Sequence, residues 1–329
     1  MYVDDSLLIG NDEAIEAVIR DIEDSGFKLK VSGELDDYLS CEITFNEDGS
    51  VAWIQQPHLV EKIEIKFWDL VKNLQKYKTP GSQGITILRN PDAVIPPFEH
   101  ALYRSGTGML LYLVKHSRPD LANAVHQLSK ALDKPNEAAF KEMKRILKYT
   151  IDTKDLALRM EPKLDEDGQW FIVAFSDSDF AGDVENRISV AGFVVYLCGA
   201  PISWKSKGIK SVSLSSSEAE YVALSEAAKE VKFIYQVLTS MGIKVKLPIV
   251  VRVDNIGAIF MSENVTVSPR TKHVDVRYHF VREFVFDGFI KVLFVRTTEN
   301  DADLFNKNLP GALHKKHAEK MLVKKGELK

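Results

Sequence analysis

Cysteine is nearly absent: two residues, Cys41 and Cys198, in a chain of 329. They stand far apart in strand-like surroundings, which excludes a disulfide framework and a thiolate zinc centre and fits a reducing compartment. No apolar run approaches the roughly 18 residues a membrane-spanning helix needs, and the N-terminus has no signal-peptide character. A soluble, intracellular chain without a membrane partner is therefore expected. Neither sign of charge dominates: 43 Lys and Arg against 47 Asp and Glu leave a net −4. Contact with nucleic acid then has to come from local basic patches, because there is no global positive field. Repeats and low-complexity segments are also missing. What is present is 45% apolar and 27% charged residues, enough for more than one core. The length divided by roughly 150 gives about two domains.

Pattern divides the chain into 1–75, 76–165, 166–310 and a basic tail, 311–329. In the first stretch "DEAIEAVIRDIEDSGF" places Ile15, Val18, Ile19 and Ile22 on one helical face and stops at Gly26. Strand-like segments follow around Tyr38–Phe45 and Ser50–Gln55. Residues 76–98, with Pro80, Pro91, Pro96, Pro97, Gly81 and Gly84, read as a surface connection without packed structure. Helices are expected over Tyr103–Lys115, Pro119–Asp133 and Pro135–Thr150. Beyond Gln169 the order reads βββαβααβα: "WFIVAFSDSD", "VAGFVVYLCG" and "PISWKSKG" as strands, and a long helix over Ser217–Met241. "PIVVRVDN" is a strand, "IGAIFMSE" and "HVDVRYHFVREFVFDG" are helices, "FIKVLFVRT" is a last strand, and "DADLFNKNL" opens a final helix. The tail is expected to fray or dock loosely.

Four acids sit at element ends in the third stretch: Asp177 in the first strand, Glu220 in the first turn of the long helix, Asp254 after the fourth strand, and Asp303 opening the last helix. Phosphodiester hydrolysis by two Mg²⁺ ions needs such a cluster, and hard Mg²⁺ takes oxygen ligands. Without metal, converging carboxylates raise one another's pKa. Each also has an ordinary reading. Ser217-x-x-Glu220 has the form of a capping box, Asp254 that of an N-cap, and Asp301 or Asp303 suits a helix dipole; Asp177 and Asp179 pass as solvated strand-end acids. Spacing alone does not bring the four together.

The blocks "FSDSDFAGDVENRISVAGFVVYL", "ISWKSKGIKSVSLSSSEAEYVAL", "RVDNIGAI", "RTKHVDVRYHFVRE" and "ENDADLFNKNL", in that order, resemble the ribonuclease H domain of copia-type retrotransposon polyproteins. The resemblance implies an α/β, ribonuclease H-like fold with a mixed five-stranded sheet flanked by helices. It implies metal ligands at Asp177, Glu220, Asp254 and Asp303, with Glu220 preferred to Glu218 because Tyr221, Val222 and Ala223 continue its motif. The implied reaction is Mg²⁺-dependent cleavage, with Mn²⁺ as a substitute, of the RNA strand in an RNA–DNA hybrid. It leaves a 3′-hydroxyl and a 5′-phosphate. Trp204, Lys205, Lys207 and Lys210 are candidates for the nucleic-acid backbone, although a solvated hairpin explains them equally; Ser215, with Ser216 and Ser217, either contacts nucleic acid or caps the helix. The mobile His that many ribonucleases H carry before the last acid is absent from "VRTTENDAD", and His273 and His279 receive no catalytic role.

Upstream, "MYVDD" is similar to the Tyr-x-Asp-Asp turn of a reverse-transcriptase palm, and "FKLKVSGELDDYLSCEI", "TPGSQG", "YRSGTGMLLYLVKHSRPDLANAVHQLSKALDKP" and "KRILKYT" keep the family's order. The resemblance makes 1–75 a palm remnant and 76–165 a thumb- or connection-like helical segment. Asp4 and Asp5 are then two ligands of an incomplete polymerase site, since a third carboxylate belongs to an earlier strand. No polymerisation is expected from this chain alone. An exposed apolar face is expected where the missing polymerase portion, or another polyprotein subunit, would pack. Particles in the cytoplasm and the nucleus are the implied locations. Ser40 in "YLSCEI" and the stretch "DTKDLAL" depart from the family pattern, which keeps open a second reading: an inactive relic that at most binds nucleic acid or a subunit. A different nuclease on the same fold is a third.

Overall fold

The structure, a computed structural model, describes residues 7–31, 37–209, 213–264 and 280–324. In the N-terminal part, α1 (Asp12–Asp24) starts at Asn11, whose side chain accepts from Ala14 N at 2.8 Å, and ends before Gly26 at φ 87°. Strands β1 (Asp37–Tyr38), β2 (Cys41–Phe45) and β3 (Ala52–Gln55) lead into α2 (Pro57–Val71), a helix that the sequence reading did not assign. No residue of α1 is buried, so its apolar face stays accessible.

Four helices then build one core: α2, α3 (Pro97–His116), α4 (Ala122–Ser129) and α5 (Glu137–Asp152). They enclose Ile63, Phe67, Leu110, Leu113, Leu128, Met143 and Ile146. Inside it the Arg118 guanidinium forks onto Asp120, Nε to Oδ1 at 2.9 Å and an Nη to Oδ2 at 2.8 Å, and Tyr149 donates to the same carboxylate at 3.1 Å. The connection at 76–98 is coil up to the start of α3 at Pro97, but it is not the loose surface segment expected: Thr79, Ile87 and Ile95 are buried. Nor is 76–165 wholly helical. Strand β4 (Leu156–Met160) pairs with β3, and the tail returns as α10 (Gly311–Ala318) and β10 (Leu322–Lys324), which pairs with β4. The result is an antiparallel sheet in the order β1-β2-β3-β4-β10. Over 311–324 the expectation of a fraying or loosely docked tail fails on burial: His317 and Met321 are fully enclosed, and an apolar side chain so placed contributes about 1.5–3 kcal/mol.

The C-terminal sheet is built from β5 (Ile172–Asp179), β6 (Val190–Leu197), β7 (Ala200–Gly208), β8 (Ile249–Val253) and β9 (Ile290–Phe294). Its order is β7-β6-β5-β8-β9, with β5–β6–β7 antiparallel and β5–β8–β9 parallel. This is the mixed five-stranded sheet expected for a ribonuclease H-like fold. The long helix α6 (Ser216–Ser240) covers one face. Ala219, Ala223, Ala227, Tyr221 and Leu224 of this helix share one buried core with Ala174 and Val251 of the sheet. Helices α7 (Ile256–Glu263) and α8 (Phe280–Phe286) flank it, and α9 (Asp303–Asn306) is far shorter than the final helix expected. On the opposite face Val194, Tyr196 and Phe305 pack with Leu158, Ala122 and Leu322. The second core therefore ties this sheet to the antiparallel one.

Candidate metal centre

The acids stand where strand ends meet helix starts. Asp177 is buried in β5 opposite Gly192 of β6. That glycine is needed for space: a Cβ there would lie 2.8 Å from Ala302 O and 2.9 Å from Phe305 Cβ, so only Gly lets α9 settle on the sheet. Glu220 is brought in by the start of α6, and the structure corrects its capping. Ser215 is the N-cap, accepting from Glu218 N at 3.2 Å, and Glu218 reaches back to Leu214 N at 2.7 Å. The capping box is thus Ser215 with Glu218, not Ser217 with Glu220. Freed from that duty, Glu220 Oε1 accepts from Ser178 N and Ser178 Oγ, each at 3.1 Å. Asn255, not Asp254, caps α7, accepting from Ala258 N at 3.0 Å.

Asp301 and Asp303, two residues apart, have different surroundings. Asp301 is a buried hub: His317 Nδ1 and Lys320 Nζ lie 2.7 and 2.6 Å from its Oδ1, and Tyr196 donates to its Oδ2 at 3.1 Å. Asp303, 1% exposed, faces the cluster. Asn300 orients this turn, donating to Ser176 O at 3.1 Å and accepting from Ala302 N at 3.2 Å.

Asp177, Glu220 and Asp254 offer oxygens that all lie within 4.8 Å of one another. Asp303 joins through Lys307, whose Nζ is 3.2 Å from Asp177 Oδ2 and 2.6 Å from Asp303 Oδ1. Asn306 donates to Asp177 Oδ2 at 2.7 Å. Sequence reading missed both residues; their only signal was spacing, three and four positions after Asp303, with Asn306 ending α9 and Lys307 just past it.

Burial and then the charge of Asp177 push the Glu220 carboxyl up to about 10. Burial and the hydrogen bond it shares with Asp177 push Asp303 up to about 8. Asp254 is raised by burial and by Asp177. Burial opposes the charge on Asp177 as well, but the hydrogen bond from Asp303 and the nearby Lys307 ammonium hold it below the usual carboxylate range. The cluster is therefore one pinned anion, Asp177, beside Glu220 and Asp303, whose carboxyls hold their protons more tightly than usual. Beyond the hydrogen bonds the carboxyls share with Asp177, the buried Glu220 Oε2 and Asp303 Oδ2 have no hydrogen-bond partner among the described residues. Oxygen-only donors, unsatisfied and waiting to ionise, fit a hard divalent cation.

No protein-family model matches the chain. Curated relatives do. The chain is 33% identical over 317 residues to the retrovirus-related Pol polyprotein from transposon TNT 1-94 of Nicotiana tabacum, covering 94% of this chain and 23% of that protein. The corresponding polyprotein from transposon RE1 of Arabidopsis thaliana is 31% identical over 323 residues, covering 98% of this chain and 21% of its own length. Over nearly its whole length the chain is similar to retrovirus-related Pol polyproteins of plant transposons. It spans about a fifth of the length of these relatives. Among solved structures, ribonuclease H1 from the archaeon Halobacterium salinarum matches 41% of this chain and 93% of its own at 18% identity and a TM-score of 0.30. The ribonuclease H-like fold is assigned from strand order and not from that overlay.

The other residues singled out in the sequence are scattered. Trp204 is half-buried and donates from Nε1 to Val114 O at 2.8 Å, joining β7 to α3. Lys207 pairs with Glu226 at 2.8 Å, Lys205 is exposed on the edge strand β7, and Ser215 is occupied as a cap. Trp204 and Lys205 line a cleft of about 330 Å³ with Lys115 and His126, and none of the four acids reaches it. Asp4, Asp5, Lys210, His273 and His279 lie outside the described residues. No helix among the described residues is long and apolar enough to cross a membrane.

Proposed function

We propose that the chain is the ribonuclease H module of a retrotransposon Pol polyprotein, hydrolysing the RNA strand of an RNA–DNA hybrid with Mg²⁺, or Mn²⁺ in its place. The observation that carries this reading is the convergence of Asp177, Glu220 and Asp254 within 4.8 Å, with Asp303 tied in by Lys307. Asp177, Glu220, Asp254 and Asp303 would hold the cations, which supply activation of the attacking water and stabilisation of the leaving oxygen. The chain's own contribution is preorganisation. Asn306 and Lys307 keep Asp177 ionised and aimed, the Ser178 N–H fixes Glu220, and Glu220 and Asp303 give up their protons as cations enter.

Selectivity for a hybrid would rest on the 2′-hydroxyl and on groove shape. Lys205, exposed on β7, is the candidate for a phosphate contact. The accessible face of α1 suits another part of the polyprotein as partner, in cytoplasmic particles or in the nucleus. The test presents the full chain and Mg²⁺ with a labelled RNA–DNA hybrid, an RNA duplex and a DNA duplex of one sequence. Cleavage of the hybrid's RNA strand alone, leaving 3′-hydroxyl ends, is expected. Equal cutting of the DNA duplex favours another nuclease on this fold, and binding without cutting favours an inactive relic.

A further inference from the structure

Residues 306–308 face two ways. Asn306 and Lys307 hold Asp177, as described above, while the next residue, Asn308, is held by a segment far upstream. Its Nδ2 donates to Ser82 O at 2.8 Å, and its carboxamide meets that of Asn123 at 2.9 Å. Ser82 closes the turn Thr79–Pro80–Gly81–Ser82, which α5 clamps from behind. The Arg145 guanidinium donates to the carbonyls of Thr79 at 3.1 Å and Pro80 at 3.2 Å. Ser82 donates to the Glu142 carboxylate from its N–H at 2.5 Å and from its hydroxyl at 2.9 Å. Gly81 is buried hard against Asn308: a Cβ there would lie 2.4–2.7 Å from the Asn308 carboxamide atoms. A buried turn whose four carbonyls and Ser82 N–H each have a partner is held in place, and a satisfied buried polar network orients its members.

We propose that the Thr79–Ser82 turn is a positioning element of the metal centre. Through Asn308 it fixes the backbone at Asn306 and Lys307, and through these the carboxylate of Asp177. Gly81 and Asn308 are the positioning residues. The inference rests on the metal-site reading above, and it assigns to the helical segment preceding the ribonuclease H-like sheet a part in that site. Partners that orient a metal ligand are commonly worth 10- to 100-fold in metal affinity.

The test is a titration of the full chain with Mn²⁺ alone, followed by the electron paramagnetic resonance signal of free Mn²⁺, without nucleic acid. Wild type, Asp177→Asn, Asn308→Ala and Gly81→Ala are compared, and urea unfolding of each reports whether it is folded. The expected result is roughly 10-fold weaker Mn²⁺ binding in both positioning variants, with kcat on a hybrid lowered and KM little changed. Wild-type affinity in folded Asn308→Ala and Gly81→Ala overturns the proposal and reduces the turn to packing. Should Gly81→Ala fail to fold, Asn308→Ala, which adds no atoms, decides alone. Absence of Mn²⁺ binding in the wild type overturns the underlying metal-site reading instead, and the Asp177→Asn control separates the two failures.

Discussion

Replacing Glu220 by Gln removes a carboxyl that burial and Asp177 push from its usual 4.5 to about 10. In the metal-free protein the native state therefore binds a proton between these values that the unfolded chain has released. Stability falls with pH wherever the native state holds the extra proton, so this carboxyl costs nothing below pH 4.5 and progressively more as pH rises toward 10. At about 1.4 kcal/mol per pH unit, the loss on this group alone is about 3 kcal/mol at pH 7. Gln retains an Oε1 for the Ser178 N–H and hydroxyl, each at 3.1 Å. Its amide can also donate to Asp177 in place of the protonated carboxyl. Metal-free Glu220→Gln is thus expected to be more stable than wild type by about 2–3 kcal/mol at pH 7 and by less than about 1 kcal/mol at pH 5. Urea unfolding in EDTA at the two pH values measures this. Mg²⁺ at a hundred times its Kd returns about 2.7 kcal/mol to wild type and less to the variant. A variant no more stable than wild type at pH 7 would refute the view of Glu220 as a neutral carboxyl awaiting a cation.

Four further outcomes follow from the same geometry. Asp301→Ala, which strands His317 and Lys320 and frees Tyr196, should lose about 3–5 kcal/mol in urea unfolding. Asp303→Asn removes a second carboxyl that burial raises, to about 8, so in EDTA at pH 7 it should be at least as stable as wild type, while losing cleavage of a labelled hybrid. Arg118→Met leaves Asp120 buried without its fork of hydrogen bonds and should cost about 3–5 kcal/mol by the same measurement, because an unpaired buried charge is the expensive product. Gly192→Ala drives a Cβ to within 2.8–2.9 Å of Ala302 O and Phe305 Cβ. It should cost about 1–3 kcal/mol and reduce Mg²⁺-dependent cleavage by lifting Asp303 away from Asp177.

Motif density decided what was legible in the sequence. The blocks from Phe175 to Leu309 carried the five strands of the C-terminal sheet, the long helix and a set of acids that the fold places at neighbouring element ends. What spacing could not resolve was division of labour. Glu218 against Glu220 and Asp301 against Asp303 are each two residues apart, and only packing shows one member serving a cap or a buried hub while the other faces the cluster. Lys307 and Asn306 went unnoticed because a Lys and an Asn just past a helix start look like ordinary surface residues until Asp177 is brought across the fold. The upstream half misled more. Leu156–Met160 and Leu322–Lys324 are short strands whose only partners are distant in sequence, so local pattern had nothing to report. The Pro- and Gly-rich stretch at 76–98 looked like a surface connection because a turn satisfied by side chains has the same composition as one satisfied by water.

The most direct measurement of the central claim is cleavage of a labelled RNA–DNA hybrid by the full chain in Mg²⁺, beside EDTA and the Asp177→Asn variant. The account predicts RNA-strand cleavage that both EDTA and the substitution abolish while the fold is retained. Cleavage that survives Asp177→Asn, or a folded wild-type chain that binds the hybrid and leaves it intact, would contradict it.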